Sequence, residues 1–458
     1  MTNTSSASSA LSAAEAQQQS EPFDLVIAGG GMTGAMLALQ LTRLFPAMRL
    51  AVVEQQATDK DHSFTTSFDS RSIALSAGSV ALLAQWGIWP ELKSHACAIE
   101  HIQVSDRGHF GKSRLNATEF GRSALGYVIE IEWIGRLLYQ QLQQVPAAQL
   151  TWFRPDQISA IRTERDYRHL QLKSGAMLSC RLLVLCEGGD SPSRALAGID
   201  AVQHDYQQSA LIANIAVEAP HQGKAFERFT VDGPLALLPL TQQRYSLVWT
   251  CQPQQAAVLK ALPDTEFIAA LQQAFGYSAG VFTSVGNRVL YPLKLKTAAQ
   301  AADHRLVLCG NSLHNLHPIA GQGFNLALRD LDALLQLLAL YSSDAGAAAL
   351  DAGAYALTRQ YQLLRSADMA QVVGFTDSLV RLFSNDSKLL ALGRNLGLSV
   401  LNQCTVLKQP FAALTMGLAP LASQKQHIKQ AQRRQTGAVA EFTSSAAATD
   451  AATGHPSC

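Results

Sequence analysis

A glycine-rich turn between a short apolar segment and an apolar helical segment is the feature of this sequence that most constrains its fold. Residues 23–28 (FDLVIA) have the β-branched, apolar character of a buried strand, and Gly29, Gly31 and Gly34 follow at once. A helical pattern comes next, and a second apolar segment, RLAVVE, ends at Glu54. A strand, a helix and a strand in this order favour a right-handed crossover with parallel strands. The sequence therefore predicts an α/β fold with a doubly wound parallel sheet.

The spacing of these glycines also indicates what the turn binds. Gly29 allows a tight turn, Gly31 lets a pyrophosphate approach the backbone, and Gly34 lets the helix pack closely on the strand. A carboxylate at Glu54 can accept hydrogen bonds from ribose hydroxyls and would repel a 2′-phosphate. We therefore predict a Rossmann-like site for FAD or NAD. The alternative is a purely structural glycine turn with a glutamate that packs on the helix.

Two later apolar strands also run into glycine turns. The segment LLVLC precedes Glu187 and Gly188, and RLVLC precedes Gly310 and Asn311. The second of these turns continues towards a helix through a loop in which proline and glycine allow backbone N–H groups to approach a planar ligand. The residues of this loop that we assign to cofactor binding are Pro318, Gly321, Gln322, Gly323 and Asn325. An NAD site does not need such a segment, so the loop favours FAD.

The remaining sequence indicates an inserted sheet and a helical C-terminal region. Extended segments alternate with Gly and Pro turns at residues 101–115 and 201–291, which is typical of an antiparallel sheet that would cover a substrate cleft. The predicted cofactor domain is therefore discontinuous, with segments 23–100, 116–200 and 292–345. Residues 346–423 are predicted to be helical. Residues 1–22 are predicted to be a disordered leader, and residues 424–458 a tail that is first basic and then of low complexity.

Composition excludes several other classes of protein. The formal charge of +1 provides no field that would attract nucleic acid. The 7 cysteines are scattered and never spaced as CxxC, which argues against a disulfide framework or a metal site. No apolar stretch reaches the roughly 20 residues that a membrane-spanning helix needs.

Beyond these patterns, the chain resembles the FAD-dependent aromatic hydroxylases of ubiquinone biosynthesis, which are flavoprotein monooxygenases similar to para-hydroxybenzoate hydroxylase. The resemblance runs from about residue 24 to 421 and includes GGGMTGA, DSRSIALSAGS, AFERFTVDGPLALLPL and HPIAGQGFNLALRD. It implies that Arg71 of the second motif lies close to the FAD and that Asn311 contacts its ribityl chain. It also implies a cofactor contact at Glu187, where the family usually has aspartate.

The resemblance further implies the reaction. A transient reductant, NADPH, and O2 as co-substrate would support hydroxylation of a polyprenyl phenol, converting 2-polyprenyl-6-methoxyphenol to the 1,4-benzoquinol. Two alternatives stay open, namely hydroxylation at another ring position in the same pathway and a flavin-binding scaffold without turnover. Other proteins of ubiquinone biosynthesis are candidate partners.

Three side chains are candidates for a catalytic role. His317 stands in the predicted flavin loop and would relay a proton, although a histidine before proline is as often only a hydrogen-bonding loop residue. Tyr206 and Arg228 fall on the predicted antiparallel sheet and would face the substrate, although side chains of such strands more often belong to the core. All three are hypotheses.

The insolubility of a polyprenyl phenol suggests where the protein works. Apolar residues recur at helical spacing within 376–401, and a basic segment, 425–434, follows them. Anionic lipid would attract this segment, so we expect a cytoplasmic protein that binds peripherally to the inner membrane surface. The alternative is a packed helix followed by a solvated tail.

Overall fold

The computed structural model describes residues 21–57, 71–106, 112–230, 233–315, 322–344 and 351–383, together with 409, 413, 416–418 and 428. The strands are β1 (Phe23–Ala28), β2 (Leu50–Val53), β3 (Ser72–Ser76), β4 (Ala96–Ile99), β5 (His101–Asp106), β6 (Lys112–Asn116), β7 (Gly126–Glu130), β8 (Leu150–Phe153), β9 (Ile158–Thr163), β10 (Arg168–Leu172), β11 (Met177–Leu185), β12 (Ala201–Val217), β13 (Lys224–Thr230), β14 (Gly233–Leu240), β15 (Arg244–Cys251), β16 (Phe282–Val285), β17 (Val289–Ala298), β18 (Ala302–Asp303), β19 (Leu306–Leu308) and β20 (His314–Asn315). The helices are α1 (Met32–Leu44), α2 (Ala77–Gln85), α3 (Trp89–Leu92), α4 (Ile131–Leu142), α5 (Pro192–Leu196), α6 (Pro253–Ala261), α7 (Asp264–Phe275), α8 (Gln322–Asp344) and α9 (Tyr355–Phe383).

The first sheet carries the predicted glycine turns. Its strands follow the order β18-β19-β11-β1-β2-β8, and the β9–β10 hairpin extends it alongside β11. Strands β19, β11, β1, β2 and β8 are parallel neighbours, in a register that pairs Leu25 with both Leu182 and Leu50. These three leucines are completely buried or nearly so, because helices cover the sheet. The predicted doubly wound parallel sheet is confirmed.

A second sheet of nine strands is built from the inserted segments. Its order is β20-β17-β12-β15-β14-β13-β5-β6, with β16 paired to β12. Most neighbours are antiparallel as predicted, but β13 and β5 pair in parallel, because β5 reaches this sheet from an earlier part of the chain. Strand β17 continues to Ala298, past the predicted domain boundary at residue 291.

The two faces of this second sheet differ in what covers them. Alternate residues of β12, such as Leu211 and Ile215, join a hydrophobic cluster with Phe267 and Leu271 of α7. The residues between them, such as Ile212, are partly exposed. One face is therefore covered by α6 and α7, and we call the opposite one the cleft face.

A small third sheet lies between the cofactor domain and the cleft face. Its strand order is β3-β7-β4. Val128 of β7 and Ala74 of β3 pack in one cluster with Ala225 of β13 and Leu240 of β14. Through this cluster, the cleft face packs on the small sheet, which joins it to the cofactor domain.

The C-terminal region is helical over the part that the structure describes. Helix α9 packs against α8, the edge strand β18 and its neighbour β19. Farther along, the backbone N–H of Gly78 donates to the carbonyl of Met416 at 2.9 Å, so residues near 416 return to the cofactor domain. Within the described residues, no helix combines the length and apolar character that crossing a membrane requires. The basic segment 425–434 lies outside the described residues apart from Ile428.

Candidate functional site

The first glycine turn shows which glycines serve the fold and which leave room for a ligand. A Cβ at Gly29 would lie 2.7 Å from the carbonyl carbon of Cys186, and the residue has a φ of +99°. A Cβ at Gly34 would lie 1.9 Å from the carbonyl oxygen of Gly29. A Cβ at Gly31, in contrast, would meet no atom within 4 Å. The fold itself excludes side chains at the first two positions, while the space at Gly31 fits the approach of a pyrophosphate at the start of α1.

Glu54 stands at the end of β2 beside this turn. Its Oε2 accepts a hydrogen bond from the N–H of Gly30 at 2.6 Å, and its Oε1 accepts one from the N–H of Gln56 at 2.8 Å. These two bonds orient the carboxylate and leave further lone pairs for the hydroxyls of a ribose. The geometry fits the role that the sequence predicts.

The turn after β19 is held by a buried carboxylate that sequence reasoning missed. The Oδ2 of Asp330 accepts from the N–H of Gly310 at 2.8 Å and lies 2.7 Å from Nε2 of His314. Its Oδ1 accepts from Nε of Arg365 at 2.6 Å. Desolvation favours the neutral acid, but the charge of Arg365 and the contact with His314 outweigh it and keep the pKa of Asp330 below its ordinary value. The carboxylate therefore stays charged and holds Gly310, which has a φ of +59°, in place.

The candidate residues around this turn differ in accessibility. Asn311 is exposed, so its side chain is free to meet a ligand. Gly323 lies at the start of α8, and a Cβ there would meet nothing within 4 Å. His317, Pro318 and Gly321 lie outside the described residues, as does the side chain of Gln322.

Asn325 fastens the start of α8 to strand β3. Its Nδ2 donates to the carbonyl of Ala74 at 2.8 Å, and its Oδ1 accepts from the N–H of Ser76 at 2.9 Å. The side chain is buried. This residue therefore links the loop that precedes α8 to the motif that contains Arg71.

Glu187 binds its own turn after β11. Its Oε2 accepts from the hydroxyl of Ser191 and from the N–H of Ser193, both at 3.0 Å, and its Oε1 accepts from the hydroxyl of Ser193 at 2.7 Å. Gly188 adopts a φ of +95°, which lets the chain reverse directly after the carboxylate. Arg194 then ties this turn to the next one, because its guanidinium donates to the carbonyl of Ser312 at 2.7 Å.

Two candidate residues lie where the cofactor domain meets the second sheet. The guanidinium carbon of Arg71 is 5.1 Å from the ring centroid of Tyr291 on β17, a cation–π contact between the two parts of the chain. Tyr206 falls in an irregularity of β12, where the pairing with β17 shifts between Asp205 and Gln208, and its ring meets His204 edge-on. Such bulges often re-aim side chains next to binding sites.

Arg228 is not brought to the cleft face. It alternates with Phe226, which belongs to the cluster under α7, and its guanidinium carbon lies 6.0 Å from the ring centroid of Phe275. The prediction that Arg228 faces the substrate assumed that its side chain points into the cleft. Strand alternation instead gives that position to the preceding residue, Glu227.

Glu227 was not identified from the sequence. It pairs with Val104 on β5 and Ala236 on β14, and Ala236 in turn pairs with Val248 on β15. Glu227 is half-buried among these apolar neighbours, and the resulting loss of hydration raises its pKa to about 7. From the sequence alone, a charged residue within AFERFTV is expected to be exposed to solvent. Only the register of the sheet shows that Glu227 lies on the same face as the apolar residues of the cleft face.

The glycine turns and the acid after β2 define a protein of the dinucleotide-binding type. The FAD-binding domain family matches residues 23–362, more than half of the chain. The chain belongs to this family and is an FAD-dependent aromatic hydroxylase, as the sequence predicts.

Curated relatives match nearly the whole chain. Ubiquinone hydroxylase UbiL of Rhodospirillum rubrum is 34% identical over 87% of this chain and 90% of that protein. The 3-demethoxyubiquinol 3-hydroxylase of Escherichia coli is 30% identical over 87% of this chain and 99% of its own length. The resemblance seen in the sequence is therefore confirmed.

Solved structures share the fold. PqsL of Pseudomonas aeruginosa, described as a probable FAD-dependent monooxygenase, superposes with a TM-score of 0.66 at 23% identity, covering 82% of this chain and 99% of that one. The p-nitrophenol 4-monooxygenase PnpA of Pseudomonas putida gives a TM-score of 0.69 at 14% identity, covering 86% and 98%. The predicted fold class, with its inserted sheet, is confirmed.

Proposed function

We propose that this protein hydroxylates the aromatic ring of a polyprenyl phenol in ubiquinone biosynthesis. The observation that carries the proposal is the cleft face. Its aliphatic side chains, such as Val104 and Val248, suit a prenyl group, and the carboxylate of Glu227 in the same row suits a phenolic hydroxyl. The similarity to ubiquinone hydroxylases over nearly the whole chain supports the same substrate class.

The chain would hold FAD through residues of the three strand ends. Backbone groups at Gly29 and Gly31 would receive the pyrophosphate, Glu54 the ribose, and Asn311 the ribityl chain. Bound FAD supplies the redox chemistry, taking electrons from NAD(P)H and using O2 to deliver one oxygen atom to the ring. The residues of the chain bind and orient both molecules and exclude water from the space between them.

The ring position is a finer part of the proposal. We infer conversion of 2-polyprenyl-6-methoxyphenol to the 1,4-benzoquinol, on the strength of the motif resemblance. The name of the Escherichia coli relative, a 3-hydroxylase, favours a second candidate in which position 3 is attacked. Both candidates use the same cleft and differ only in how the ring is turned.

A labelling experiment tests the proposal. Holoenzyme, NADPH, ¹⁸O2 and phenols that carry one short prenyl group should give a product with one labelled oxygen, and NMR of that product identifies the position. Label that comes from water would contradict the proposed reaction. Purified protein that binds FAD but consumes no NADPH with any of these phenols would point to a scaffold.

A further inference from the structure

Glu227 lies on the cleft face, which contacts the small third sheet and, at Tyr291 of β17, Arg71. Ala225, two residues earlier on β13, packs with Val128 and Ala74 of the small sheet. Phe229, two residues later, lies in the row of the sheet that ends at Tyr291, and Tyr291 contacts Arg71. By strand alternation, the Glu227 side chain therefore projects from the same face of the sheet as Ala225, the face that packs on the small sheet.

The surroundings of Glu227 are apolar. Its cross-strand neighbours are Val104 and Ala236, and Val248 and Ile212 continue the row. Within the described part of the chain, Glu227 forms no hydrogen bond or ion pair. The Glu227 side chain is half-buried, and a carboxylate held among apolar side chains is less hydrated than an exposed one, so this position favours a functional role.

Two hydroxyls on the same face are also left without partners. Ser113 pairs with Val104 at the edge of the row, and Thr250 pairs with Ala210 in the neighbouring row. Both side chains are buried, and neither hydroxyl has a hydrogen-bond partner among the described residues. The cleft face thus combines an apolar row with a half-buried carboxylate and two buried hydroxyls that lack partners among the described residues.

Among the described residues, the row of Glu227 contains no other charged side chain. Arg71 lies above Tyr291 on β17, which β12, β15 and β14 separate from β13, and Arg244 of β15, on the same face as Val248, forms an ion pair with Glu130. Neighbouring Arg228 projects to the opposite face, over Phe275. The apolar neighbours therefore determine the protonation of Glu227 more than any ion pair does.

We propose that Glu227 is a catalytic residue that accepts the phenolic proton of the substrate. This assignment rests on the proposed function. In the step, the O–H bond of the phenol breaks and an O–H bond to a carboxylate oxygen of Glu227 forms, without transfer of electrons between the two groups. The resulting phenolate has more electron density at the ring carbons ortho and para to its oxygen, where hydroxylation takes place.

The raised pKa makes this carboxylate a stronger base than an ordinary one. Desolvation moves the pKa of Glu227 from 4.5 to about 7. Each unit is a factor of ten in the equilibrium of proton transfer, so the phenol loses its proton to Glu227 roughly 300-fold more readily than to an unperturbed glutamate. Below about pH 7 the residue is protonated and accepts nothing, so product formation should increase as the pH rises through this value.

The experiment compares Glu227→Gln and Glu227→Asp with a matched control, Glu218→Gln, which makes the same change at an exposed position. The probe is 2-methoxy-6-prenylphenol with the FAD-loaded enzyme, and the measurements are kcat, KM and the product formed per NADPH consumed, each against pH. We expect Glu227→Gln to keep its FAD and its KM. Its kcat should fall by about 100-fold or more, without the rise near pH 7. Glu227→Asp should retain that rise, and Glu218→Gln should match the wild type.

Two different failures are distinguishable. If the wild type hydroxylates the probe and Glu227→Gln does so at a similar rate with the same pH profile, the assignment of Glu227 is wrong while the proposed function stands. If the wild type hydroxylates no phenol at all, the proposed function is wrong and the assignment falls with it. FAD content and thermal unfolding of each variant show that a lost activity does not come from misfolding.

Discussion

Replacing each of two glycines in the first turn should separate FAD binding from folding. At Gly31 a valine side chain would enter open space, since a Cβ there meets no atom within 4 Å. The backbone is compatible with valine, because φ is −63° and ψ is −172° at this position. We therefore expect Gly31→Val to change the free energy of unfolding of the FAD-free protein by about 1 kcal/mol or less. The same side chain would occupy the path of the pyrophosphate, so the purified protein should be colourless.

At Gly34 the expected result is the reverse. A Cβ would lie 1.9 Å from the carbonyl oxygen of Gly29, a backbone atom that cannot move unless β1 and α1 separate. Overpacking of this kind costs about 3 kcal/mol or more, so Gly34→Ala should lower the melting temperature of the FAD-free protein or prevent soluble expression.

The assay uses the absorbance of bound flavin and thermal unfolding of FAD-stripped protein, because bound FAD would itself stabilise the fold. Wild-type FAD occupancy in Gly31→Val would refute the placement of the pyrophosphate. Unchanged stability of Gly34→Ala would refute the steric reasoning about the close contact between α1 and β1.

Three other predictions concern the remaining contacts. Asp330→Asn should lower the free energy of unfolding by about 3 kcal/mol in chemical denaturation, because the buried Arg365 then keeps only the charge of Asp368 as its partner. A decrease of less than about 1 kcal/mol would contradict this reasoning. Asn325→Ala should weaken FAD binding, measured by flavin fluorescence, more than Glu187→Asp does. The first change leaves two backbone groups of the β3 segment unpaired, whereas aspartate at position 187 keeps the negative charge. The opposite order would show that Glu187 contacts the cofactor. Removal of residues 424–458 should reduce binding to anionic vesicles at low salt, and unchanged binding would exclude the tail as the attachment site.

The cofactor half of the site was predictable from sequence because its residues are close together along the chain. The Gly29 turn, α1 and Glu54 form one local unit. The turn needs glycine at set positions and an acid after the next strand, and both features can be recognised by their spacing in the sequence. The apolar segments 182–186 and 305–309, which contain the ends of β11 and β19, were recognisable for the same reason. The family resemblance then extended this reading to the inserted sheet and the FAD-dependent hydroxylase class.

The substrate half depended on which face of a strand each residue occupies. Arg228 and Glu227 are neighbours in sequence, and neither composition nor spacing shows which of them points into the cleft. Only the pairing of β13 with β14 and β5, and the packing of α7 against one side, settled that question. A shift of one residue in register exchanges the two faces, so this information belongs to the assembled sheet.

The buried ionic contacts were also decided by tertiary structure alone. In the sequence, Asp330 is one acid in a leucine-rich helix, and Arg365 lies 35 positions away on α9. The two side chains meet near Gly310 only because α8 and α9 pack side by side. This packing cannot be predicted from the sequence of either helix alone. The glycine turns could be predicted because their backbone requirements are local. The environment that keeps Asp330 charged and raises the pKa of Glu227 forms only when distant segments pack around these two carboxylates and exclude water.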